Sequence, residues 1–593
     1  MQKTIKNKLS DSIFNVIKKI AAENNLPEYS GKVKIEYPPK AEMGNYSTPV
    51  AMELARIFKD KPSIIAENIL SELKKDTNLF IYFEEAKIQG PGFINFYLSE
   101  TFYSEFFNSM GASGIENIQK TLYSREEGAE EKPSVIFEFV SANPTGPLNI
   151  VSARAAAVGD SICRIMRKTC IPVHSEYYVN DYGNQVRLLG LSFSYRYLQS
   201  LGAEISLPED CYQGQYIIDV LKEILDEGMS LPKLPASIEE YDQSSELWKE
   251  YINSTSEVFA PAAIERLRQT HENDLGKFRV HFDQFFSEKT LHDSDQVMSV
   301  EKELESKGFV YVEEKAKFFR STDFDDDKDR VIVRADGRPT YLMADIAYHK
   351  TKINRGYSKI MNIWGPDHHG YIARLSGAIS ALGFGPNNKS NKHEEFRVLI
   401  VQQVNMIEDG KSVVMSKRLG KFHTMHDLLK NIPVDVVRYF FLMRSQSSHL
   451  DFDLDLALTE SNKNPVYYIQ YAHARINSIF REAAVDINEP ISMEVKGMIK
   501  SNPSREKLLA GLYRYFEIVE DISTSLEVHL LADYLYETAS LFTSFYHDLE
   551  NRVVKKLKDN REEGMLLLGI CQWTKWILHD GLELLGVSAP EKM

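Results

Sequence analysis

Ser134-Val-Ile-Phe-Glu-Phe-Val140, then Ser141-Ala-Asn-Pro-Thr-Gly-Pro147, then a helical pattern from about Ile150 to Lys168: the reading of these segments decides the fold. The first is an apolar run of strand length, the second holds the prolines and glycine that stop it, and the third is long enough for a crossover helix. Strand, turn and helix in that order open a parallel α/β unit. Glu138 is the one charged residue of the run, so it either faces solvent at a sheet edge or meets a cation.

Working outward, Arg330-Val-Ile-Val-Arg334, Lys359-Ile-Met-Asn-Ile-Trp364 and Glu395-Phe-Arg-Val-Leu-Ile-Val401 are further apolar runs bounded by turn residues and are expected to complete the sheet. The helical, charged stretch at about 190–290 reads as an insertion between its halves. Upstream, an amphipathic helix carries Ile13, Phe14, Ile17, Ile20 and Ala21 on one face. The strand-like Val33-Lys-Ile-Glu-Tyr37, a helix through Pro49 to Phe58 and the β-rich Gly90-Pro-Gly-Phe-Ile-Asn-Phe96 follow it. The polar stretch Gly111 to Glu131 is expected to be a linker. Beyond about Ala457 the apolar pattern is helical throughout. The expected fold is therefore α/β plus α, with an N-terminal α+β domain at 1–115, a Rossmann-like parallel-sheet domain with its insertion at 116–456, and an all-α bundle at 457–593.

The chain has 593 residues, 43% hydrophobic and 26% charged, as expected of a globular protein of several domains. Lys and Arg total 70 against 85 Asp and Glu, a net charge of -15, so contact with a polyanion must be local. Cys163, Cys170, Cys211 and Cys571 have no CxxC spacing, which fits a reducing compartment, the cytoplasm by default. No stretch approaches the ~20 apolar residues of a membrane span.

Several common fingerprints fail. No GxGxxG follows a strand, which disfavours a dinucleotide dehydrogenase. Asn405-Met-Ile-Glu-Asp-Gly-Lys-Ser412 ends like a phosphate-binding loop but starts with Asn where glycine is needed, so Asp409-Gly410 reads as a β-hairpin tip. His271-Glu272 lacks a second histidine at the zincin spacing, and adjacent His368 and His369 point apart, so no metal site is expected.

What remains is Glu138 and its turn, Tyr341-Leu-Met-Ala-Asp345, Trp364-Gly-Pro-Asp-His-His-Gly370, and Val414-Met-Ser-Lys-Arg418 before Gly420. To these are added Tyr178-Val-Asn-Asp-Tyr-Gly-Asn-Gln185, Asp327-Lys-Asp-Arg330, Ser448-His-Leu-Asp-Phe-Asp-Leu-Asp455, Asn464-Pro-Val-Tyr-Tyr-Ile-Gln-Tyr-Ala-His-Ala-Arg475 and the terminal Ala-Pro-Glu-Lys-Met593. Together they resemble the class I aminoacyl-tRNA synthetases, and most closely the bacterial arginyl-tRNA synthetases, over nearly the whole chain.

The resemblance implies an arginine–tRNA ligase. Arginine and ATP give arginyl-adenylate and pyrophosphate, and the arginyl group then passes to the 3′-terminal ribose of the tRNA for arginine. Partners are thus L-arginine, ATP carrying Mg²⁺, and tRNA, for a cytoplasmic protein that is monomeric as the family usually is. Lys417 matches the lysine of the KMSKS loop that neutralises the phosphates; read alone, it would be a solvated turn residue. Pro147, Val151, Asp367, His368, Met415 and Ser416 match the ATP site. Glu138, Tyr341 and Asp345 match the pocket for the arginine side chain, and Asn143 the residue holding its α-amino and carboxyl end. A planar five-donor fork needs several placed acceptors, and losing one should cost about 2–5 kcal/mol in binding. The N-terminal domain would pack on the tRNA and the bundle would read the anticodon, with Tyr471, His473 and Arg475 as candidates among Tyr467, Tyr468 and mostly core tyrosines. Arg552, Lys555, Lys556, Lys558 and Arg561 form a local basic patch, with a solvated helix face as the equal alternative.

The chain departs from the family at the HIGH signature, which here reads Asn149-Ile-Val-Ser152. Asn149 and Ser152 can donate hydrogen bonds but cannot become cationic as imidazole can, and Val151 puts a branched side chain where the family lays adenine on glycine. Removing one preorganised donor costs roughly 10²–10³ in rate. Two readings follow: a working ligase in which Asn149 and Ser152 substitute, helped by Lys417 and His368 or His369, or an impaired relative that binds tRNA without charging it. The intact arginine pocket and Lys417 favour the ligase.

Overall fold

The computed structural model describes residues 3–123, 134–242, 244–385, 394–413, 424–495 and 497–593. Two compact units emerge. One joins the N-terminal segment to the C-terminal helices, and the other runs through the middle of the chain to Thr459.

At the heart of the second unit lies a five-stranded parallel sheet. Its order is Glu395–Ile400, Lys359–Trp364, Val135–Glu138, Val173–Val179, Gln284–Ser287. All of Val135–Glu138 is buried, as a central parallel strand covered on both faces requires. From it the chain moves outward to one edge and then returns to add strands on the other side, so the strand order reverses beside Val135–Glu138. Ligands of such sheets bind outside the carboxyl ends of the strands at that reversal.

Arg330–Val333 does not join this sheet. It pairs antiparallel with Ala316–Phe319, which pairs in turn with Val310–Glu313. Ile332 and Val333 of the run are buried and Arg330 and Val331 half-buried, in a three-stranded antiparallel sheet of its own. Its place in the parallel sheet is taken by Val173–Val179, whose apolar pattern is interrupted by His174, Ser175 and Glu176, and by the short Gln284–Ser287. Glu176 tolerates complete burial because Arg355 grips it with both Nη atoms (2.6 and 3.0 Å) and the Tyr348 hydroxyl adds a third bond at 2.6 Å. The insertion consists mainly of the helices Asn184–Ser200, Gln215–Asp226 and Glu246–Lys277. The Asp409-Gly410 hairpin forms as expected: Val404–Glu408 pairs with Lys411–Val413, and both turn residues have positive φ (51° and 69°).

The helix Ile150–Lys168 is anchored through Arg154, which is fully buried. Its guanidinium donates to the carbonyls of Gln402, Ser448 and Ser445, each at 2.9 Å.

In the other unit the helix Ile5–Glu23 buries Ile5, Leu9, Ile13, Ile17 and Ala21. The three strands Tyr46–Thr48, Phe83–Gln89 and Phe93–Leu98 form its sheet. Val33 to Tyr37 contributes only a bridge from Glu36 to Ser47. The expected linker from Gly111 is helical to Tyr123, continuing a helix from Glu100 that kinks at Gly114 (φ 66°), and the rest of it lies outside the described residues. Glu517, on the helix Pro503–Ser525 of the bundle, is buried and accepts from Tyr37 Oη (2.7 Å), Tyr46 Oη (3.0 Å) and the Lys6 amide (2.9 Å). Burial pushes its pKa up to about 7.

Arg154→Met should strand three carbonyls and cost about 2–4 kcal/mol. The check is an earlier urea or thermal transition of the sheet-containing unit.

Candidate active site

A cleft of about 990 Å³ opens at the carboxyl ends of the parallel strands. Its wall takes Val140 to Asn143 from the end of the central strand, Asn180 from the next, Ile363 to Gly365 and Val401 from the other side, and Glu288 just after the edge strand. The switch point is therefore where the cavity is. Val140 and Ser141 turn the chain with φ of 70° and 42°, a conformation that costs a β-branched residue energy and persists only where its surroundings fix it. Ser141 supplies part of that fixing: its hydroxyl donates to Glu138 Oε1 at 2.9 Å and accepts from the Tyr178 amide at 3.1 Å.

Glu138 has found a cation, and it is internal. Lys352, wholly buried, donates to Glu138 Oε2 at 2.6 Å and to Asn362 Oδ1 at 3.3 Å, and lies 4.2 Å from the centre of the Tyr348 ring. Glu138 is absent from the cleft wall. Like Asp345 it is buried and off the wall, and its charge is balanced inside the protein by Lys352. The chain of bonds continues from Asn362 Nδ2 to His349 Nε2 (2.9 Å) and from His349 Nδ1 to the Asp345 carbonyl (2.8 Å). This uses both nitrogens of a neutral imidazole, and burial holds the His349 pKa well below its ordinary value.

Tyr341 and Asp345 lie one turn apart on the helix Tyr341–Asn354, so their side chains share a face. Tyr341 lines the cleft and is 56% exposed, whereas Asp345 is buried just beneath the wall and accepts from the Tyr371 hydroxyl at 2.8 Å. Burial pushes the Asp345 carboxyl up to about 8, and the charges of Glu138 and Glu288 push the same way. Glu288 is the site residue that sequence reasoning missed. It is 6% exposed, lines the cleft, and its pKa is raised to about 7 by burial. Its Oε1 lies 3.4 Å from His292 Nε2, its Oε2 has no hydrogen-bond partner among the described residues, and the nearby Tyr178 hydroxyl opposes the rise in its pKa. A buried carboxylate in that condition is a place for a cation from outside. The only sequence signal was a carboxylate directly after Phe285-Phe286-Ser287.

Opposite, Asn143, Asn149, Val151, Ser152 and His368 all reach the wall. Asn143 Nδ2 donates to Gln185 Oε1 at 2.6 Å. Asn149 Oδ1 accepts from the Ser152 amide at 2.8 Å, capping the helix that begins at Ile150. That bond orients the amide group and leaves its Nδ2 to donate into the cleft. Pro147 and Asp367 do not reach the wall. Asp367 is exposed in the 3-10 turn Pro366–Tyr371, where neighbouring side chains diverge by a third of a turn, so His368 faces the cleft and Asp367 does not. Met415, Ser416 and Lys417 lie outside the described residues.

On the helix Pro465–Ala483, Tyr467 and Tyr471 stack (6.4 Å between centres, 10°) and Arg475 lies over Tyr471 and Tyr546, making a half-exposed ladder. His473 belongs to the opposite, apolar face. It is 1% exposed and its Nδ1 donates to the Pro590 carbonyl at 2.8 Å, and burial lowers its pKa to about 4. The expectation that it meets RNA is corrected, because a helix face that packs on its own protein is not free to touch a ligand.

Asp345 and Glu288 have folded pKa values above those of the unfolded chain, so the folded state holds more protons between pH ~4 and those values, and stability falls as pH rises through that window. Asp345→Asn should accordingly raise the thermal midpoint of the unliganded protein at pH 9 and lose that advantage by pH 5, as followed by calorimetry.

Three family models cover the chain. Residues 3–98 match the arginyl tRNA synthetase N terminal domain, 117–433 the class I (R) tRNA synthetase catalytic domain, and 469–593 the DALR anticodon binding domain. The arginine–tRNA ligase of Leptospira biflexa is 45% identical over 591 residues, spanning 96% of this chain and 94% of that protein. That of Leptospira interrogans is 44% identical over 584 residues, spanning 95% and 94%. The Thermus thermophilus arginyl-tRNA synthetase structure shares the fold, with a TM-score of 0.72 at 19% identity over 99% of this chain and 100% of that one. With a catalytic-domain model matched over more than half of its length and relatives this similar from end to end, the chain belongs to the class I arginyl-tRNA synthetase family.

Proposed function

We propose that the protein is a working arginine–tRNA ligase and that adenylate formation takes place in this cleft. The observation that carries the reading is the pair of buried carboxylates, Asp345 and Glu288, neither of them paired with an internal lysine or arginine among the described residues, where a side chain of one ligand could reach both. A guanidinium supplies five donors in a rigid fork and cannot be deprotonated, so it can ionise and satisfy both at once. Tyr341 closes over that end. Asn143 holds the α-amino and carboxyl end.

The arginine carboxylate oxygen attacks the α-phosphorus of ATP as the bond to pyrophosphate breaks. A hydroxyl of the terminal tRNA ribose then attacks the arginyl carbonyl and AMP leaves. Asn149 Nδ2, the Ser152 hydroxyl and the start of the Ile150–Lys168 helix face the phosphates, where helix N-termini favour anions. Val151 and His368 flank the nucleotide, and Lys417 with Met415 and Ser416 is assigned to its phosphates by the motif they match. Glu288 is the one carboxylate on the described wall, among amide, hydroxyl and guanidinium groups. Such a set suits phosphate oxygens better than a protein-held cation, so Mg²⁺ enters on the nucleotide and spreads the triphosphate charge. Tyr471 and Arg475 offer a stacking and phosphate-contacting edge to the anticodon. We take the ligase to act as a monomer in the cytoplasm.

Arginine-dependent pyrophosphate exchange with tRNA present tests the reading. Exchange by the native chain is expected; none, with activity recovered in the Asn149→His, Val151→Gly, Ser152→His triple variant, would make the native protein an impaired relative. Because Asp345 and Glu288 must ionise to take the guanidinium, arginine binding should weaken as pH falls from 8 to 6 and release protons, read by calorimetry in buffers of differing ionisation heat. Glu288→Gln should weaken arginine binding by about 10²-fold, the loss of one charged acceptor.

A further inference from the structure

We infer that the helical insertion sets the geometry of the active-site turn, and that Tyr216 and His271 are positioning residues for the reaction proposed above, on which the inference rests. Between the central strand and the capping Asn149, the turn presents three carbonyls away from the cleft. The Ala142 carbonyl accepts from Tyr177 Oη at 2.9 Å, that of Thr145 from Tyr216 Oη at 2.6 Å, and that of Gly146 from His271 Nε2 at 2.6 Å. Two of these three donors belong to the insertion, Tyr216 on Gln215–Asp226 and His271 on Glu246–Lys277.

The arrangement is tight. A Cβ placed on Gly146 would come within 3.3 Å of the Tyr216 ring and hydroxyl, so the tyrosine lies close against the turn. His271 is 1% exposed, and its Nδ1 lies 2.9 Å from the Tyr177 hydroxyl. With Nε2 facing a carbonyl at 2.6 Å, that nitrogen carries the proton and Nδ1 accepts, so the Tyr177 hydroxyl shares its one proton between His271 Nδ1 and the Ala142 carbonyl, and one imidazole spans the insertion, the strand Val173–Val179 and the turn. Three residues further along the same helix, Asp274 accepts from His426 Nδ1 at 3.1 Å. His426 follows Met425, whose amide donates to the Leu148 carbonyl at 2.8 Å. The insertion helix is thus tied to the turn before Asn149 directly, and to Leu148 through the segment at Met425 and His426. None of these side chains reaches the cleft wall, so they act through Asn143 and Asn149. A turn strained at Val140 and Ser141 and broken by two prolines has few bonds of its own, and misplacing reacting groups by 1 Å costs about 10² in rate.

The test compares Tyr216→Phe, His271→Phe and the double variant with His271→Gln, which keeps a side-chain N–H donor. Expected for the double variant are a fall of about 10²-fold in kcat for tRNA-dependent pyrophosphate exchange and a rise of several-fold in the arginine dissociation constant. Calorimetric stoichiometry should stay at one site, with substantial recovery in His271→Gln. A loss of exchange that only tracks a loss of binding-competent sites, or wild-type kcat in the double variant, overturns the inference. If the native chain shows no exchange, the proposed function fails, and the arginine dissociation constant still decides: unchanged in the double variant, it overturns the role of the insertion.

Discussion

The floor of the cleft is governed by an imbalance of buried charge. Glu138, Glu176, Glu288 and Asp345 are all less than 9% exposed, and the buried ion pairs among the described residues supply Lys352 to the first and Arg355 to the second. Glu288 and Asp345 are left to be neutralised by protons or by a ligand. Buried ions without partners are too costly to persist unless they serve a purpose, and the surplus explains why the site prefers a delocalised cation with many donors. A lysine-like ammonium could balance one carboxylate well, but it lacks the planar span to satisfy both.

That electrostatic floor works only because the backbone brings its parts together. Glu138 ends the central strand, Glu288 follows the edge strand and Asp345 sits on a helix that packs beneath, and all three meet at the carboxyl end of the sheet. The strained turn at Val140 and Ser141 redirects the chain there, and Ser141 is bonded to the same Glu138 that Lys352 holds. The charge network and the chain reversal are one construction.

Much of this was legible in the amino-acid order where the cause is local. The Asp409-Gly410 turn follows from backbone conformations that few residue types accept, the helix Ile5–Glu23 from its apolar period, and the central strand from an unbroken apolar run. What could not be read depends on partners far apart in the chain. Nothing near Glu138 announces Lys352, and nothing near Glu176 announces Arg355, so the first carboxylate looked available and the second strand was not among those expected. Arg330–Val333 has the composition of a sheet strand, but it pairs antiparallel with Ala316–Phe319 in a separate sheet. His473 sits in an aromatic, basic stretch that resembles a recognition surface, yet the helical period turns it inward beneath Pro590. Asn143, Asn149, Val151, Ser152, Tyr341 and His368, named from motifs, line the cleft, whereas Glu288 lines it and belongs to no motif that was matched.

Glu517 has a consequence for how this protein can be taken apart. Its carboxyl group receives the hydroxyls of Tyr37 and Tyr46 and the amide of Lys6, all from the first fifty residues, while the residue itself belongs to a helix near the other end of the chain. Deleting the amino-terminal segment would leave a bare acid in an apolar interior and expose the surface around it. The two ends of the chain thus share one compact unit, and a cut between them in sequence passes through a common core.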